Sequence, residues 1–317
     1  MKQILATFAV IFGFMIHTAA SAAQPTTTLY AVKGTDSLYL DHYAATVEND
    51  NPRPCMIFMF GGGFVSGQRN DPRYIPYFEK MNRFGYDVIS IDYRLGIARA
   101  MAQGTLNEQT FIPTFANAIA MAVEDLFTAT AFVLSKAGEW GIDPQGIVSC
   151  GSSAGAISVL QGEYQIANRG PLTQILPEGF DYAGVVSFAG AILTTDGNGL
   201  KWDNAPAPML LFHGDADMNV PYDVLREQTL AFCGSKEIAR ALAEGSMPRW
   251  FYSIENADHA VAITPMNENI YEIDSFLDKF VQQKLPLTID TSSRRLDAPQ
   301  MNKHFTLMDY VRANFGN

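Results

Sequence analysis

The chain has little cysteine and little positive charge. Three of its 317 residues are cysteines, and this odd number without regular spacing excludes a small disulfide-stapled fold. Its 22 Lys and Arg residues stand against 33 Asp and Glu residues, so the formal net charge is −11. A chain this acidic has no electrostatic attraction to nucleic acid or anionic lipid, and neither is an expected partner.

The sequence also lacks the patterns that bind metals and phosphates. His, Cys and Asp residues do not occur together at metal-ligand spacing, so we expect neither a metal nor a cofactor. The triplet Gly61-Gly62-Gly63 lacks a following Gly-Lys-Ser/Thr and the G-x-G-x-x-G spacing, which argues against a phosphate loop. A plain flexible turn remains an alternative for it. Repeats and low-complexity segments are absent, and the composition is that of a globular protein.

One long apolar run, Ile4 to Ile16, opens the chain. It follows Lys2 and precedes the small residues Ala20-Ser21-Ala22, an order that predicts a cleaved signal peptide over residues 1–22. The run is too short to span a membrane comfortably. Cleavage of the signal peptide would remove Lys2 and change the formal net charge from −11 to −12. No later stretch is expected to span a membrane. We therefore expect a periplasmic or secreted protein with one domain over residues 23–317.

Apolar runs alternate with helix-compatible stretches from Cys55 to Gln283. This order predicts an α/β fold with a mostly parallel central sheet and helices on both faces, preceded by a hairpin that turns at Gly34-Thr35-Asp36. The other predicted features are helices at 113–138, 222–232 and 266–283, loops at 96–110, 168–180 and 190–208, and an unplaced tail at 286–317 with a short helix near 307–315.

The pentapeptide Gly151-Ser152-Ser153-Ala154-Gly155 lies between an apolar run and a helix-compatible stretch. Read as G-x-S-x-G, it predicts a tight turn that presents the Ser153 hydroxyl at the end of a strand. A Cβ at Gly151 or Gly155 would clash where the strand and the helix pass closest. The motif alone is also compatible with a simple turn of small residues.

A nucleophilic serine needs a base, and the base needs an orienting acid. His259 follows the last predicted core strand and is the predicted base, whereas His213 ends a strand and is expected to be structural. Asp217 is the predicted acid, with Asp215 and Asp196 as alternatives. The chain order Ser, Asp, His is typical of one hydrolase fold.

The tetrahedral intermediate of acyl transfer needs N–H donors that already point at its oxyanion. Ala154, directly after the nucleophile, supplies one donor, and Gly62 and Gly63 are the other predicted donors. The Gly triplet, the pentapeptide, Asp217 and His259 each follow a predicted strand. Because the carboxyl ends of parallel strands meet at one edge of a sheet, we expect these four motifs to lie together.

Taken together, these motifs resemble those of α/β-hydrolase-fold serine esterases, especially the carboxylesterase and hormone-sensitive-lipase-like branch. The matching segments, over about residues 30 to 285, are Phe60-Gly61-Gly62-Gly63-Phe64 with Ser66-Gly67, Asp92-Tyr93-Arg94-Leu95, the pentapeptide, His213-Gly214-Asp215-Ala216-Asp217 with Val220-Pro221, and Asp258-His259. The resemblance implies the roles given above to Ser153, Asp217 and His259. Two departures concern loop shape: Phe60 replaces the usual His, and Asp258 and Ala260 replace the usual Gly near His259.

The sequence thus predicts an exported serine hydrolase that cleaves small-molecule or polymer-linked carboxylic esters through an acyl-enzyme. Two alternative functions are also enzymatic: an esterase that removes acetyl or feruloyl groups from polysaccharide, and a peptidase. A third is a non-catalytic binding protein of the same fold.

Overall fold

The computed structural model of the chain describes residues 24–47, 51–195, 197, 199–227, 229–306, 308, 309, 311 and 312. The predicted signal peptide at 1–22 and the alternative acid Asp196 therefore lie outside the described residues. Part of the predicted helix near 307–315 lies outside them as well.

A nine-stranded sheet runs through the protein in the order β1-β2-β4-β3-β5-β6-β8-β11-β12, and β7-β10-β9 form a smaller sheet. The strands are β1 (Thr26–Lys33), β2 (Asp36–Tyr43), β3 (Arg53–Met59), β4 (Asp87–Ile91), β5 (Ile142–Ser152), β6 (Gly184–Phe188), β7 (Ala191–Thr194), β8 (Met209–Gly214), β9 (Val224–Glu227), β10 (Leu230–Gly234), β11 (Arg249–Glu255) and β12 (Thr288–Arg294). In the nine-stranded sheet, β1 and β2 form the predicted antiparallel hairpin and β2 pairs antiparallel with β4. The remaining pairings of that sheet, in the order β4-β3-β5-β6-β8-β11-β12, are parallel.

Helices connect most of the parallel strands. The described α-helices are α1 (Ile75–Arg83), α2 (Gly96–Ala102), α3 (Phe111–Trp140), α4 (Ala154–Ala167), α5 (Ser235–Glu244), α6 (Pro265–Glu268) and α7 (Ile270–Phe276). Two 3-10 helices span Pro171–Ile175 and His259–Ala262, and a π-helical turn spans Leu277–Gln282.

The central strands are covered on both faces. Every residue of β4, β6 and β8 is buried, and successive strand residues point to opposite faces, so neither face of these strands meets solvent. This is why the strands read as continuous apolar runs in the sequence. The predicted fold class, a mostly parallel sheet with helices on both faces, is confirmed.

The helix α3 corrects the expectation about membrane spans. It is long and apolar enough to cross a membrane by length and composition, although no such stretch was expected after residue 22. More than half of its most apolar stretch is buried inside the protein, where it packs against α4 and β5. Within the described part of the chain, it is a core helix whose apolar composition reflects that packing.

Several predicted elements are wrong. Residues 222–232 were expected to form a helix, but they contain β9 and the start of β10, and β10 pairs with β9 on one side and with β7 on the other. This segment is short, and pairing with β7 overrides its weak helical pattern. The predicted loop at 190–208 contains β7, and the predicted loop at 96–110 contains α2.

The end of the chain differs from expectation as well. The predicted helix at 266–283 is interrupted at Asn269 and ends in the π-helical turn. The unplaced tail contains β12, which pairs in parallel with all seven residues of β11. Its exposed and half-buried residues alternate, as in a strand at the edge of a sheet, so it lacks the continuous apolar run of the central strands.

Candidate active site

Ser153 lies at the sharp turn between β5 and α4, with φ 52° and ψ −116°. These dihedral angles are unusual for a residue with a side chain, and the surrounding backbone maintains them. The Ser153 N–H donates to the Phe188 carbonyl at 2.9 Å. A Cβ on Gly151 would lie 2.3 Å from the Gly155 carbonyl carbon, and one on Gly155 would lie 2.1 Å from the Met59 oxygen. The predicted need for both glycines is confirmed.

The structure joins Ser153, His259 and Asp217 in one row of hydrogen bonds. His259 Nε2 lies 2.8 Å from Ser153 Oγ, and His259 Nδ1 lies 2.7 Å from Asp217 Oδ2. In this geometry a neutral imidazole donates from Nδ1 to the carboxylate and accepts the serine proton at Nε2. Asp217 is buried, whereas Ser153 and His259 are partly exposed. The row therefore reaches solvent only at its reactive end.

The Asp217 carboxylate is fixed on both oxygens. The N–H groups of Asn219 and Val220 donate to Oδ1 at 2.7 and 3.0 Å. Burial by itself raises the pKa of Asp217, but the charge and hydrogen bond of His259 and the hydrogen bond of His213 outweigh it and hold the pKa well below its ordinary value. Asp217 therefore stays ionised throughout the neutral pH range.

His213 is buried directly beside this acid. Its Nε2 lies 3.3 Å from Asp217 Oδ2 and 3.3 Å from the Val220 carbonyl, and its Nδ1 lies 2.8 Å from Ser235 Oγ. Both oxygens near Nε2 can only accept, so Nε2 carries a hydrogen and donates. The sequence predicted a structural role for His213 but gave no sign of this contact with Asp217.

The alternative acid Asp215 has other partners. Its Oδ1 accepts the Asn256 N–H at 2.7 Å, and its Oδ2 pairs with Lys303 Nζ at 2.7 Å. It thereby ties the segment before His259 to the end of β8. Asp258, which replaces a usual Gly, accepts the Ala260 N–H at 2.9 Å and caps the 3-10 helix that begins at His259.

The Gly triplet passes beside the nucleophile. A Cβ on Gly61 would lie 3.1 Å from Ser153 Cβ. Gly62 has φ +135°, and a Cβ there would meet the Ser66 carbonyl oxygen at 2.1 Å, so the turn requires glycine. Among the described residues, the N–H groups of Gly62, Gly63 and Ala154 have no protein acceptor. They are available as donors to a ligand.

Two tyrosines anchor this loop, in which Phe60 stands in place of the usual His. The Phe60 carbonyl accepts from Tyr93 OH at 2.8 Å, and the two rings stack 4.5 Å apart. The Gly61 N–H donates to Tyr74 OH at 3.1 Å. Nothing in the sequence marked the contact of Tyr74 with this loop.

The cysteines do not contribute a competing nucleophile. All three are buried free thiols, and burial raises the pKa of Cys150, beneath the Ser153 turn, to about 12. Over the residues that the structure describes, no three His, Cys, Asp or Glu side chains are grouped to hold a metal ion.

Comparison with known proteins finds similarity to esterases. Residues 40–191 match the BD-FAE family model, which covers the Gly triplet and Ser153 but ends before Asp217 and His259. The chain is 32% identical to Esterase B1 of Culex pipiens over 127 residues, which are 39% of this chain and 21% of that protein. It is 28% identical to the fumonisin B1 esterase of Sphingopyxis macrogoltabida over 38% of this chain and 22% of that one.

The chain thus spans about a fifth of the length of these curated relatives. Among solved structures, esterase 2 of Thermogutta terrifontis superposes with a TM-score of 0.58 at 21% identity, over 83% of this chain and 96% of that one. Because this likeness covers 83% of the chain, it extends beyond the residues that the family model matches. The chain therefore has the α/β-hydrolase fold, and the predicted resemblance to esterases of that fold is confirmed.

Proposed function

We propose that the protein is a serine hydrolase that cleaves carboxylic esters through an acyl-enzyme. The observation that carries the proposal is the hydrogen-bonded row from Ser153 through His259 to the buried Asp217. It lies beside N–H groups of Gly62, Gly63 and Ala154 that have no acceptor among the described residues. The similarity to esterases supports the same class of reaction.

In the first half-reaction, Ser153 Oγ attacks the ester carbonyl carbon while His259 Nε2 takes its proton. The carbonyl oxygen becomes an oxyanion, which the N–H groups of Gly62, Gly63 and Ala154 stabilise; each such donor contributes about 3 kcal/mol. The intermediate collapses, the carbon–oxygen bond to the alcohol breaks, and His259 gives the proton to the departing alcohol. An acyl group then remains on Ser153.

The second half-reaction repeats these steps with water. His259 takes a proton from water as the water oxygen attacks the acyl carbon, and Ser153 leaves with that proton while the free acid departs. Asp217 stays ionised throughout and stabilises the imidazolium that forms twice in each cycle. Its low pKa and the two N–H donors on its other oxygen suit it to this role.

Ser153→Ala tests the proposal directly. The variant should fold normally and lose nitrophenyl acetate hydrolysis, and a fluorophosphonate probe should label only the wild type. Ser149→Ala is the control, because the buried Ser149 hydroxyl lies on the same strand and has no hydrogen-bond partner among the residues that the structure describes. Turnover retained in Ser153→Ala would overturn the proposal, and absence of labelling in the wild type would favour a non-catalytic binding protein.

We propose short acyl esters as the first substrates to measure. Solved structures of the similar Thermogutta terrifontis esterase have propionate or butyrate bound. A series of nitrophenyl esters of increasing acyl length, compared with acetylated xylan, methyl ferulate and a peptide, would separate the small-ester function from the polysaccharide and peptide alternatives. A preference for acetylated xylan or methyl ferulate would instead favour esterase activity on acetyl or feruloyl groups of polysaccharides.

The same proposal places the protein outside the cytoplasm, in the periplasm or the medium. Its support is the charged start, apolar run and small residues of positions 1–22. Expression of the full chain followed by sequencing of the mature N-terminus would test it. A mature protein that begins after about residue 22 is expected, and an uncleaved chain in the cytoplasm would contradict it.

A further inference from the structure

We propose that Tyr74 and Ser152 form a buried relay that positions the oxyanion loop, the nucleophile turn and the histidine segment relative to one another. The inference rests on the proposed function and adds two positioning residues to it. Neither residue belongs to the predicted set of site residues.

The relay is a continuous chain of contacts across three loops. The Gly61 N–H donates to Tyr74 OH at 3.1 Å, Tyr74 OH donates to Ser152 Oγ at 3.3 Å, and Ser152 Oγ donates to the Ala262 carbonyl at 2.8 Å. All three hydrogen bonds are buried, and Tyr74 and Ser152 are 2% and 1% exposed. Water therefore cannot replace a missing partner without entering the core.

The directions of these bonds are mutually consistent. Each hydroxyl accepts one hydrogen bond and donates the next, so every bond in the chain polarises its neighbour. Removal of either hydroxyl leaves polar groups unpaired on both sides of the gap, which is costly in a buried site. The chain should therefore act as one unit.

Each relay contact lies within a few residues of a proposed reacting group. Gly61 directly precedes the donors Gly62 and Gly63, and Ser152 directly precedes Ser153. Ala262 ends the 3-10 helix that begins at His259. A loosened relay would let these three segments shift relative to one another, and catalytic rates fall steeply when reacting groups are misplaced by even about 1 Å.

The structure also offers matched control residues. Tyr77 is another buried tyrosine, one helical turn after Tyr74, and its hydroxyl contacts Met56 Sδ and Cys150 Sγ, not the loops of the site. Ser149 is a buried serine on the same strand as Ser152, and its hydroxyl has no hydrogen-bond partner in the described part of the chain. Tyr77→Phe and Ser149→Ala therefore remove the same atoms without touching the relay.

The experiment compares Tyr74→Phe, Ser152→Ala and the double variant with these two controls. Phe keeps the ring contact with Phe58, whose centroid lies 4.8 Å from that of Tyr74. We expect kcat for nitrophenyl acetate to fall about 10- to 100-fold in each relay variant, and a trifluoromethyl ketone inhibitor, which mimics the tetrahedral intermediate, to weaken in parallel. The double variant should fall no further than the lower single variant, because the relay is already broken.

Two results would overturn the relay. One is relay variants that match their controls in kcat and in inhibitor affinity, and the other is losses that multiply in the double variant. Thermal unfolding of all five proteins separates lost activity from lost fold. Ser153→Ala distinguishes the two levels of inference: an active Ser153→Ala refutes the proposed function itself, whereas an inactive one with unaffected relay variants refutes the relay alone.

Discussion

Two buried aspartates each bind a histidine, one at the amino end of the strand β4 and the other beyond the carboxyl end of β8, yet their surroundings differ. Asp87 opens β4 and lies 2.7 Å from His42 Nε2, while Arg53 donates to both of its oxygens at 2.8 and 3.1 Å. Asp217, beyond β8, binds His259 and His213 but no Arg or Lys among the described residues. Asp87 is therefore neutralised permanently by a guanidinium, which is always protonated.

The comparison shows what separates a structural Asp–His pair from one suited to catalysis. The negative charge of Asp217 remains available to a histidine that gains a proton, and the other nitrogen of that histidine meets a serine hydroxyl. His42 instead packs its ring 4.8 Å from Trp140. An Asp–His pair alone would therefore be weak evidence for catalysis in this fold. The informative difference is that Asp217 pairs with no Arg or Lys among the residues that the structure describes.

Asp217→Asn should produce the largest effect on rate. The substitution keeps the shape of the side chain but removes the charge and favours the wrong histidine tautomer, so kcat should fall about 10⁴-fold. Steady-state hydrolysis of nitrophenyl acetate measures it. A loss of less than about tenfold would mean that His259 works without this carboxylate.

Asp87→Asn makes the same substitution at the structural pair. It leaves the Arg53 charge, whose side chain is 22% exposed, without its partner, and the free energy of unfolding should fall by about 3 kcal/mol. Urea denaturation measures this change. The folded variant should keep its kcat at low temperature, and a rate loss comparable to that of Asp217→Asn would contradict the distinction between the two pairs.

Glu163 completes the comparison, because it is a buried carboxylate with no cationic partner at all among the described residues. Within the described ranges, its Oε1 accepts only the Ala207 N–H at 2.7 Å and its Oε2 has no partner, and burial raises its pKa to about 7. The folded state thus holds a proton that the unfolded chain releases near its ordinary pKa of about 4.5, so stability falls as pH rises between these values.

Glu163→Gln should remove that pH dependence. At pH 8 the variant should be more stable than the wild type by up to about 3 kcal/mol, while near pH 4 the two should be similar. Thermal unfolding at both pH values measures the difference. Equal stabilities at pH 8 would show that Glu163 finds a partner when it ionises.

His213→Leu should have the smallest effect on rate. Its Nε2 lies 3.3 Å from Asp217 Oδ2, so loss of this donor leaves the carboxylate less firmly held, and kcat for nitrophenyl acetate should fall measurably but by less than about tenfold. Ser235→Ala is the control, since it touches only the other nitrogen of His213. An unchanged kcat in His213→Leu would assign His213 to packing alone.

The sequence was most informative where one physical constraint dominated. Strands that are buried on both faces are continuously apolar, so β3, β4, β6 and β8 could be predicted from apolar runs in the sequence. The location of the site followed because reactive groups of parallel α/β sheets lie beyond the carboxyl ends of the strands. The hairpin of β9 and β10 could not be predicted because its strands are short and are stabilised by the pairing of β10 with β7. β12 was missed because it lies at the sheet edge.

The site shows the same division. Ser153, Asp217 and His259 stand in recognisable motifs after strands, and the structure brings them within hydrogen-bond distance of one another, while their catalytic roles and the oxyanion hole stay predictions. Tyr74, Ser152 and the contact of His213 with Asp217 could not be foreseen. They depend on how loops distant in the chain meet, and no local pattern records that. The single domain over 23–317 likewise stays a prediction.

The close backbone contacts around the Ser153 turn have a practical meaning for protein engineering. Positions 62, 151 and 155 have no room for any side-chain atom, so none of these three positions can be varied to adjust substrate preference. Variant libraries that aim to change the accepted ester should therefore keep these three glycines invariant. They should diversify loops elsewhere at the carboxyl edge of the sheet, where added atoms do not displace the nucleophile.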